Sequence, residues 1–318
     1  MASTTSFFNN VAYIPPDPIF ELTKKYNADP AEKKVNLGQG TYKDENGDPW
    51  ILPAVRAAKE KIKTANHEYL PILGLPSFRT LASELVFGRD TDAAKEGRVA
   101  TCQSLSGTGA LHITGKLLSK ALSSPTTPLP TVYITSPTWS SHKQIFESIG
   151  FPVHGYNYSS PSPSNPEIDI ASLTKTLTQA PENSIFNFHA SAHNPSGWDP
   201  TIEQWKEIGR IVKAKSLFPV FDAAYLGITS GDYDQDAFPI RYFVNALNLE
   251  VAVCVSFAKS MGLYGERIGL CAFISQSPTA ATATESSLAQ LIRSEISNPP
   301  RIRGARCICC SCGPGDKS

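Results

Sequence analysis

Lys259 is the residue with the clearest potential for covalent chemistry. It follows the apolar run VAVCVSFA (251–258), and Arg267 lies eight residues further on. Burial and a neighbouring cation both lower the pKa of a lysine, and a neutral amine attacks carbonyl groups. An arginine can also bind a phosphate through two hydrogen bonds. A solvated lysine after a strand is common, so Lys259 alone does not establish a catalytic site.

The segment SLSGTGALHITG (104–115) combines a strand end, a glycine-rich turn and a helix start. The free N–H groups and the dipole of a helix start favour a phosphate, and Ser106 and Thr108 add hydroxyl donors beside Gly107. An ordinary helix cap with a tight turn has the same pattern. A Rossmann dinucleotide site fits poorly, because His112 stands at the third glycine position and no acid ends the next strand.

Three further polar side chains follow apolar strands. Asn194 lies in HNPSGWDP (193–200), and Asp222 and Tyr225 lie in FDAAYLG (221–227). Alone, Asn194 indicates a turn, and a lone aspartate after a strand more often caps a helix. Together with Lys259 and the phosphate-binding turn they form a more specific set. Pyridoxal 5′-phosphate requires a lysine for its carbonyl, a carboxylate for its ring nitrogen and donors for its phosphate.

The elements that carry these residues alternate between strand and helix from about Val99 to Ile274. Short apolar strands joined by amphipathic helices predict an α/β fold, with a mostly parallel sheet flanked by helices on both faces. Ligands of such sheets bind at the carboxyl ends of the strands. The predicted strands are 99–105, 131–137, 152–158, 183–191, 217–225, 250–259 and 267–275, and the chemistry-bearing residues lie at their ends.

Composition favours a globular protein that acts on small molecules. The 318 residues include 29 Lys and Arg and 29 Asp and Glu, so the net charge is zero. A balanced charge gives no reason to expect a nucleic acid or an anionic membrane as partner. No apolar run reaches transmembrane length, and the first residues have the pattern of neither a secretory signal nor a mitochondrial presequence. A cytoplasmic location is the default expectation.

The predicted organisation is uneven along the chain. Residues 1–46 are predicted to be an extended N-terminal arm with part of a small domain, residues 47–300 a large cofactor domain, and residues 301–318 an aberrant cysteine-rich tail. Cys102, Cys254 and Cys271 lie in predicted strands and should be buried free thiols. The four cysteines of the tail have no CxxC spacing, so no metal site is predicted there.

Several motifs together resemble the aspartate aminotransferase subgroup of fold-type-I pyridoxal-phosphate enzymes. They are VNLGQGTY, NHEYLPILGL, SLSGTGAL, SPTWSSHKQIF, HNPSGWDP, FDAAYLG, SFAKSMGLYGERIG and SNPP, in that order from about Phe7 to Pro300. The resemblance implies that Lys259 forms the Schiff base and moves the proton, and that Asp222 keeps the ring nitrogen protonated. Tyr225 and Asn194 would then bind the phenolic oxygen.

The resemblance implies further contacts. Five residues would hold the phosphate, namely Ser106, Gly107, Thr108, Ser256 and Arg267. Trp139 would stack on the ring and, with Asn194, contact the substrate, while His142 would support Asp222. Without the resemblance, ordinary packing would be the expectation for Trp139 and His142.

Residues from a second subunit complete the site that the resemblance implies. Tyr69 would reach the phosphate of the neighbouring subunit in a homodimer, and Arg293 would bind the side-chain carboxylate of a dicarboxylic substrate across the dimer. Gly38 would line the substrate pocket. The implied reaction is amino transfer between L-aspartate and 2-oxoglutarate, an amino acid and a 2-oxo acid, giving oxaloacetate and L-glutamate.

The resemblance stops after Arg306. The family continues into a small C-terminal domain with a second, α-carboxylate-binding arginine, whereas this sequence ends CICCSCGPGDKS (307–318). The sequence therefore leads us to expect a truncated or frameshifted chain with weak substrate binding. Two alternatives remain open: an aromatic aminotransferase of the same subgroup, and a fragment that binds cofactor without catalysis.

Overall fold

The computed structural model describes residues 6–62, 66–124, 126–160 and 167–301. The predicted tail therefore lies outside the described residues, apart from Arg301. The chain divides into two compact units, residues 1–50 and 51–318. The predicted arm over residues 1–46 remains a prediction.

The first unit contains a helix that the sequence reading missed. Residues before about Asn46 were expected to be extended, but α1 spans Pro18–Ala28. Asp17 caps this helix by accepting hydrogen bonds from the N–H groups of Ile19 and Phe20. A proline at the first helical position starts a helix rather than breaking it, because its missing N–H would have no partner there. None of the α1 side chains is buried within the described structure.

Among the described residues of the second unit, seven strands form one sheet. They are β1 (Val99–Leu105), β2 (Val132–Ser136), β3 (Val153–Asn157), β4 (Ile185–His189), β5 (Phe218–Ala223), β6 (Val251–Ser256) and β7 (Ile268–Ile274). Their order across the sheet is β1-β7-β6-β5-β4-β2-β3. Every neighbouring pair is parallel except the two pairs that β7 makes with β1 and β6. The predicted mostly parallel α/β fold is confirmed.

Helices cover both faces of this sheet. The remaining α-helices are α2 (Pro53–Lys61), α3 (Pro76–Phe87), α4 (Asp92–Lys95), α5 (Ser106–Leu122), α6 (Ser141–Ile149), α7 (Ile170–Gln179), α8 (Ile202–Ala214), α9 (Tyr233–Asp236), α10 (Phe238–Arg241), α11 (Phe257–Ser260) and α12 (Pro278–Glu295). A π-helical turn over Tyr242–Ala246 extends α10, and a 3₁₀ turn spans Tyr264–Glu266.

The central strands are mostly apolar because both of their faces are covered. Every residue of β4, β6 and β7 is buried. Along β6, Val251, Val253 and Val255 pack into one core cluster, whereas Ala252 and Cys254 pack into the other. This alternation follows from the two-residue repeat of a strand, and it explains why these strands lack the polar positions of a half-exposed sheet.

The antiparallel direction of β7 brings its start to the edge where the parallel strands end. Gly269 of β7 pairs with Ser256 of β6 and with Ser104 of β1. A Cβ atom on Gly269 would lie 2.5 Å from the Val255 carbonyl oxygen and 2.6 Å from the Ser106 backbone. Only glycine allows β7 to pass this close to the turn that follows β1.

Three buried free cysteines lie in one row across the sheet. Cys271 of β7 pairs in register with Cys102 of β1 and Cys254 of β6. All three are free thiols and fully buried, as predicted. Thr114 of α5 contacts two of them, with its Oγ1 3.2 Å from Cys254 Sγ and 3.1 Å from Cys271 Sγ. Within the described residues, no helix is both long and apolar enough to cross a membrane.

Candidate active site

One cavity of about 230 Å³ lies at the carboxyl edge of the sheet. Ten of the predicted site residues line it: Ser106, Gly107, Thr108, Trp139, Asn194, Asp222, Tyr225, Ser256, Lys259 and Arg267. They come from the ends of β1, β2, β4, β5 and β6 and from the start of β7. The cavity forms because these segments meet at one edge, as expected for ligand sites of open α/β sheets.

The turn between β1 and α5 forms one wall. Ser106 adopts a left-handed backbone conformation with φ 61°, and no side chain caps the start of α5. The Oγ atoms of Ser106 and Ser256 lie 2.8 Å apart. A Cβ atom on Gly107 would approach the Ser256 Cβ atom to 3.1 Å, so a larger residue would crowd this wall. Uncapped N–H groups and two hydroxyls are suitable donors for a phosphate.

Lys259 is half-buried in the cavity and faces Tyr225, with its Nζ 5.7 Å from the centre of the Tyr225 ring. Burial lowers the pKa of Lys259, the Asp222 carboxylate opposes that effect, and Arg267 adds to it. The net result is a lowered pKa, which increases the fraction of neutral, nucleophilic amine. Arg267 itself has φ 52° and donates from Nη1 to the Tyr264 carbonyl oxygen over 3.2 Å.

Asp222 lies on the floor of the cavity. His142 Nε2 donates to its Oδ2 over 2.9 Å, and Thr138 Oγ1 lies 2.8 Å from His142 Nδ1. Burial raises the pKa of Asp222, but the hydrogen bond from His142 and the charges of His142, His189 and Lys259 together outweigh burial, and the pKa is held below its ordinary value. Asp222 is therefore ionised at neutral pH although only 7% of it is exposed.

The second carboxylate oxygen of Asp222 identifies the kind of ligand that fits here. Oδ1 is buried and has no hydrogen-bond partner among the described residues. Leaving a buried charged acceptor unpaired is costly, so such an atom points to a missing donor. The protonated ring nitrogen of pyridoxal phosphate is a donor of the right chemistry, and the Lys259 amine and the phosphate donors share the cavity. The described residues therefore fit this cofactor.

Tyr225 and Asn194 form a pair beside Lys259. Both side chains line the cavity, and Asn194 lies close enough to the Tyr225 hydroxyl to influence its pKa. Burial and the Asp222 charge raise the pKa of this hydroxyl, and the Asn194 contact partly offsets them. Tyr225 therefore keeps its proton at neutral pH and can donate it to an oxyanion.

Two lining residues, His189 and Ala224, were not predicted. His189 ends β4, and its ring centre lies 5.0 Å from that of His142. Neither of its ring nitrogens has a hydrogen-bond partner among the described residues. Burial lowers its pKa to about 3, so the ring is neutral at physiological pH. Its place at a strand end is the signal that could have identified it.

Tyr69 and Arg293 do not line this cavity but lie near each other at an exposed edge. Tyr69 is 79% exposed. Asn298 Nδ2 donates to the Leu70 carbonyl oxygen over 2.8 Å, which ties the segment after α12 to the Tyr69 loop. Arg293, in the last turn of α12, donates to Ser297 Oγ over 2.7 Å.

Gly38 belongs to the first unit, where its N–H donates to Asn36 Oδ1 over 2.9 Å. Its contribution to a substrate pocket remains a prediction.

Comparison with known proteins agrees with the fold and the cavity. The profile of the family "Aminotransferase class I and II" matches residues 32–302. The cytoplasmic aspartate aminotransferase of Saccharomyces cerevisiae is 43% identical over 315 residues, which is 96% of this chain and 73% of the relative. The mitochondrial aspartate aminotransferase of Dictyostelium discoideum is 43% identical, covering 96% of this chain and 70% of the relative. This chain belongs to the class I and II aminotransferase family.

Solved structures show the same similarity. The aspartate aminotransferase from S. cerevisiae cytoplasm superposes with a TM-score of 0.90 at 42% identity, covering 97% of this chain and 75% of that one. An aromatic-amino-acid aminotransferase from Burkholderia pseudomallei, covalently bound to pyridoxal phosphate, gives a TM-score of 0.89 at 36% identity, with 96% and 74% covered. The family depends on pyridoxal phosphate.

Proposed function

We propose that this chain is a pyridoxal-phosphate-dependent aspartate aminotransferase. It transfers an amino group between L-aspartate and 2-oxoglutarate, giving oxaloacetate and L-glutamate. The observation that carries the proposal is the unpaired, buried Oδ1 of Asp222 in the same cavity as Lys259. The aspartate-specific relatives at 43% identity support this substrate over an aromatic one.

Each residue of the cavity has a defined task in this proposal. Bound pyridoxal phosphate supplies an electron-withdrawing ring that stabilises negative charge on the carbon next to the amino group. Asp222 would hold the protonated ring nitrogen through Oδ1, which has no partner among the described residues, while His142 fixes the other oxygen. The Lys259 amine would bind the cofactor carbonyl and would move a proton at the substrate carbon. Tyr225 and Asn194 would donate to the phenolic oxygen of the ring.

The phosphate is held by groups that differ in character. Arg267 supplies a fixed positive charge, and Ser106, Gly107, Thr108 and Ser256 supply hydroxyl and backbone donors. A bidentate arginine contact and a helix start together favour a dianion over a neutral ligand. Trp139 packs edge-on against His142, with ring centres 5.3 Å apart, and would cover a face of the cofactor ring.

The substrate site is proposed to be completed by a second copy of the chain. Tyr69 and Arg293 are exposed at one edge and outside the cavity, which is the arrangement needed for contacts to a neighbouring subunit. In the proposed homodimer, Tyr69 reaches the partner's phosphate and Arg293 binds the second carboxylate of aspartate. A cytoplasmic location is proposed from the cytoplasmic relatives.

Reconstitution tests the cofactor assignment. Protein mixed with pyridoxal phosphate should develop visible absorbance, and borohydride should fix the cofactor to Lys259, as located by peptide mass spectrometry. Lys259→Ala should abolish the adduct. Lys213→Ala removes a part-buried lysine that donates to the Leu247 carbonyl oxygen, and it should leave labelling unchanged. An adduct on another lysine would overturn the assignment.

Comparison of amino donors tests the substrate. Aspartate should exceed phenylalanine in kcat/KM with 2-oxoglutarate as acceptor. A preference for phenylalanine would identify an aromatic aminotransferase, and visible absorbance without transfer from either donor would identify a cofactor-binding protein without this activity.

A further inference from the structure

Two loops determine where the Asn194–Tyr225 pair lies. Asn194 follows β4, and Tyr225 follows β5, and neither belongs to a helix or a strand. Hydrogen bonds of the sheet therefore do not fix either side chain. Since both side chains line the same cavity and Asn194 influences the Tyr225 hydroxyl, their joint position depends on how the two loops are held.

Asp199 holds the first loop. Its Oδ2 accepts the Ala192 N–H over 2.6 Å, and its Oδ1 accepts the His193 N–H over 3.1 Å. Ala192 has φ 50°, a left-handed conformation that is unfavourable for alanine and persists only where neighbours enforce it. The carboxylate thus fixes the two residues immediately before Asn194.

The side chain of His193 adds two further hydrogen bonds that hold this loop. Its Nε2 lies 2.8 Å from Thr135 Oγ1, and its Nδ1 lies 2.8 Å from Ser196 Oγ. Thr135 belongs to β2, so the loop is connected to the sheet on one side and to Asp199 on the other. Asn194 lies between these two attachments.

Asp236 holds the second loop in the same way. Its Oδ2 accepts the N–H groups of Gly227 and Thr229, over 2.8 Å and 3.2 Å, and its Oδ1 accepts the Ser230 N–H over 3.2 Å. The residue is buried, with 6% exposure. The first of these contacts lies two residues after Tyr225.

The charge of one carboxylate also acts on the other. Burial raises the pKa of Asp199, the two backbone N–H groups oppose this, and the negative charge of Asp236 raises it further. Like charges in a partly buried region are unfavourable unless backbone donors compensate them. Here each carboxylate has such donors, and all of them belong to the loops of Asn194 or Tyr225.

We propose that Asp199 and Asp236 are positioning residues that together set the place of the Asn194–Tyr225 pair before any ligand binds. The inference deepens the proposed function and rests on it for the ligand, the phenolic oxygen of pyridoxal phosphate. Neither carboxylate lines the cavity, so each acts through the backbone of its loop.

Hydrogen exchange of cofactor-free protein tests whether Asp199 and Asp236 hold their loops, independently of the proposed function. In Asp199→Asn the amides of Ala192 and His193 should exchange about tenfold faster or more, since one acceptor is lost. In Asp236→Asn the amides of Gly227 and Thr229 should respond likewise. Asp169→Asn is the matched control, because Asp169 accepts the Ser172 N–H at the start of α7. Unchanged exchange in the first two variants would show that the two carboxylates do not hold their loops.

A pH titration of the bound cofactor tests the positioning role. Hydrogen bonds to the phenolic oxygen favour its ionised form, so a loosened pair should raise the apparent pKa of the visible absorbance. We expect a rise of up to about one unit in Asp199→Asn and Asp236→Asn, with kcat lowered about 10-fold to 100-fold and KM little changed. Asp169→Asn should match the parent.

A double variant separates positioning from a general loss of stability. In a Tyr225→Phe background, Asp236→Asn should add almost nothing to the shift in apparent pKa, because the donor it positions is already gone. Full additivity would overturn the proposal. If the parent protein gives no visible absorbance, the proposed function fails, while the hydrogen-exchange result still decides whether the carboxylates hold the loops.

Discussion

Polar groups have opposite environments on the floor of the cavity and at the exposed edge with Tyr69 and Arg293. On the floor, Asp222 and His189 are buried and keep ring or carboxylate atoms without partners among the described residues. At the edge, Tyr69 and Arg293 are exposed, but the backbone beside Tyr69 is tied down by Asn298, which donates to Leu70. Arg301 adds a second tie by donating to the Glu68 carbonyl oxygen over 2.6 Å.

This difference indicates where the free energy of binding comes from. A buried, unpaired acceptor gains much from the right donor, because water does not compete for it. An exposed side chain gains little until another surface removes it from water. Floor substitutions should therefore act within each chain, whereas edge substitutions should act only when two copies associate.

The largest effect is expected on the floor. Asp222→Ala should leave the phosphate contacts intact but lower kcat by about 10³-fold or more, since it removes an interaction that strengthens as charge enters the ring. Single-turnover absorbance measurements with aspartate test this. Asp169→Ala removes a carboxylate from a helix cap and should change kcat little. Near-normal turnover by Asp222→Ala would refute its role.

Reversal of charge at the edge should change substrate preference. Arg293→Asp places a carboxylate opposite the side-chain carboxylate of aspartate, and kcat/KM for aspartate should fall by roughly two to four powers of ten. A cationic amino donor should improve instead. Arg210→Asp makes the same charge change on the exposed side of α8 and should not alter preference. An unchanged preference for aspartate in Arg293→Asp would show that Arg293 does not bind that carboxylate.

Histidines beneath the site should make stability depend on pH. Burial lowers the pKa of His189 to about 3 and that of His193 to about 4. Below the ordinary value of about 6.5, the unfolded chain binds protons that the folded chain does not, so stability falls with pH from about 6.5 towards 4. Each histidine contributes roughly 1.4 kcal/mol per pH unit in this range.

Denaturant unfolding of the cofactor-free protein at several pH values measures this slope. His189→Gln should reduce the slope by about one histidine's share, while His154→Gln, which replaces an exposed ring, should not. A slope that is the same in the parent and in His189→Gln would contradict the buried neutral state of His189.

The smallest effect is expected for a single hydroxyl at the edge. Tyr69→Phe should weaken pyridoxal phosphate binding by about tenfold, because one hydrogen bond to a charged group is lost. The loss should disappear at protein concentrations where the copies separate, since in the proposed homodimer Tyr69 reaches the partner's site. Tyr26→Phe is the control. A deficit that persists in the separated chain would place Tyr69 in its own chain's site and break the comparison between floor and edge.

The sequence predicted the strand ends well because apolar runs and polar termini are local signals. All seven predicted strands are present within a few residues, and Lys259, Asp222 and Ser106 lie at one edge as expected. Local composition sufficed for these elements.

Long-range pairing could not be read in the same way. Composition does not reveal that β7 is antiparallel to its neighbours. The short connection from Ser256 to Ile268 does leave little room for a parallel crossover. The unpaired Oδ1 of Asp222 and the contribution of His189 depend on which side chains meet across strands. An extended arm was expected where α1 lies, because the start of this helix depends on the Asp17 cap and on Pro18 at its first position.

The rate at which Cys102, Cys254 and Cys271 can be labelled measures how often the centre of the sheet becomes accessible. Burial raises the pKa of Cys254, and a hydrogen bond from Cys271 together with burial raises that of Cys102, so neither thiol reacts readily in the closed fold. All three pack in the core cluster that α5 covers, so an alkylating reagent reaches them only when this side of the sheet opens. Because Thr114 of α5 touches this row, the labelling rate also records how often the helix that begins at the phosphate wall lifts from the sheet.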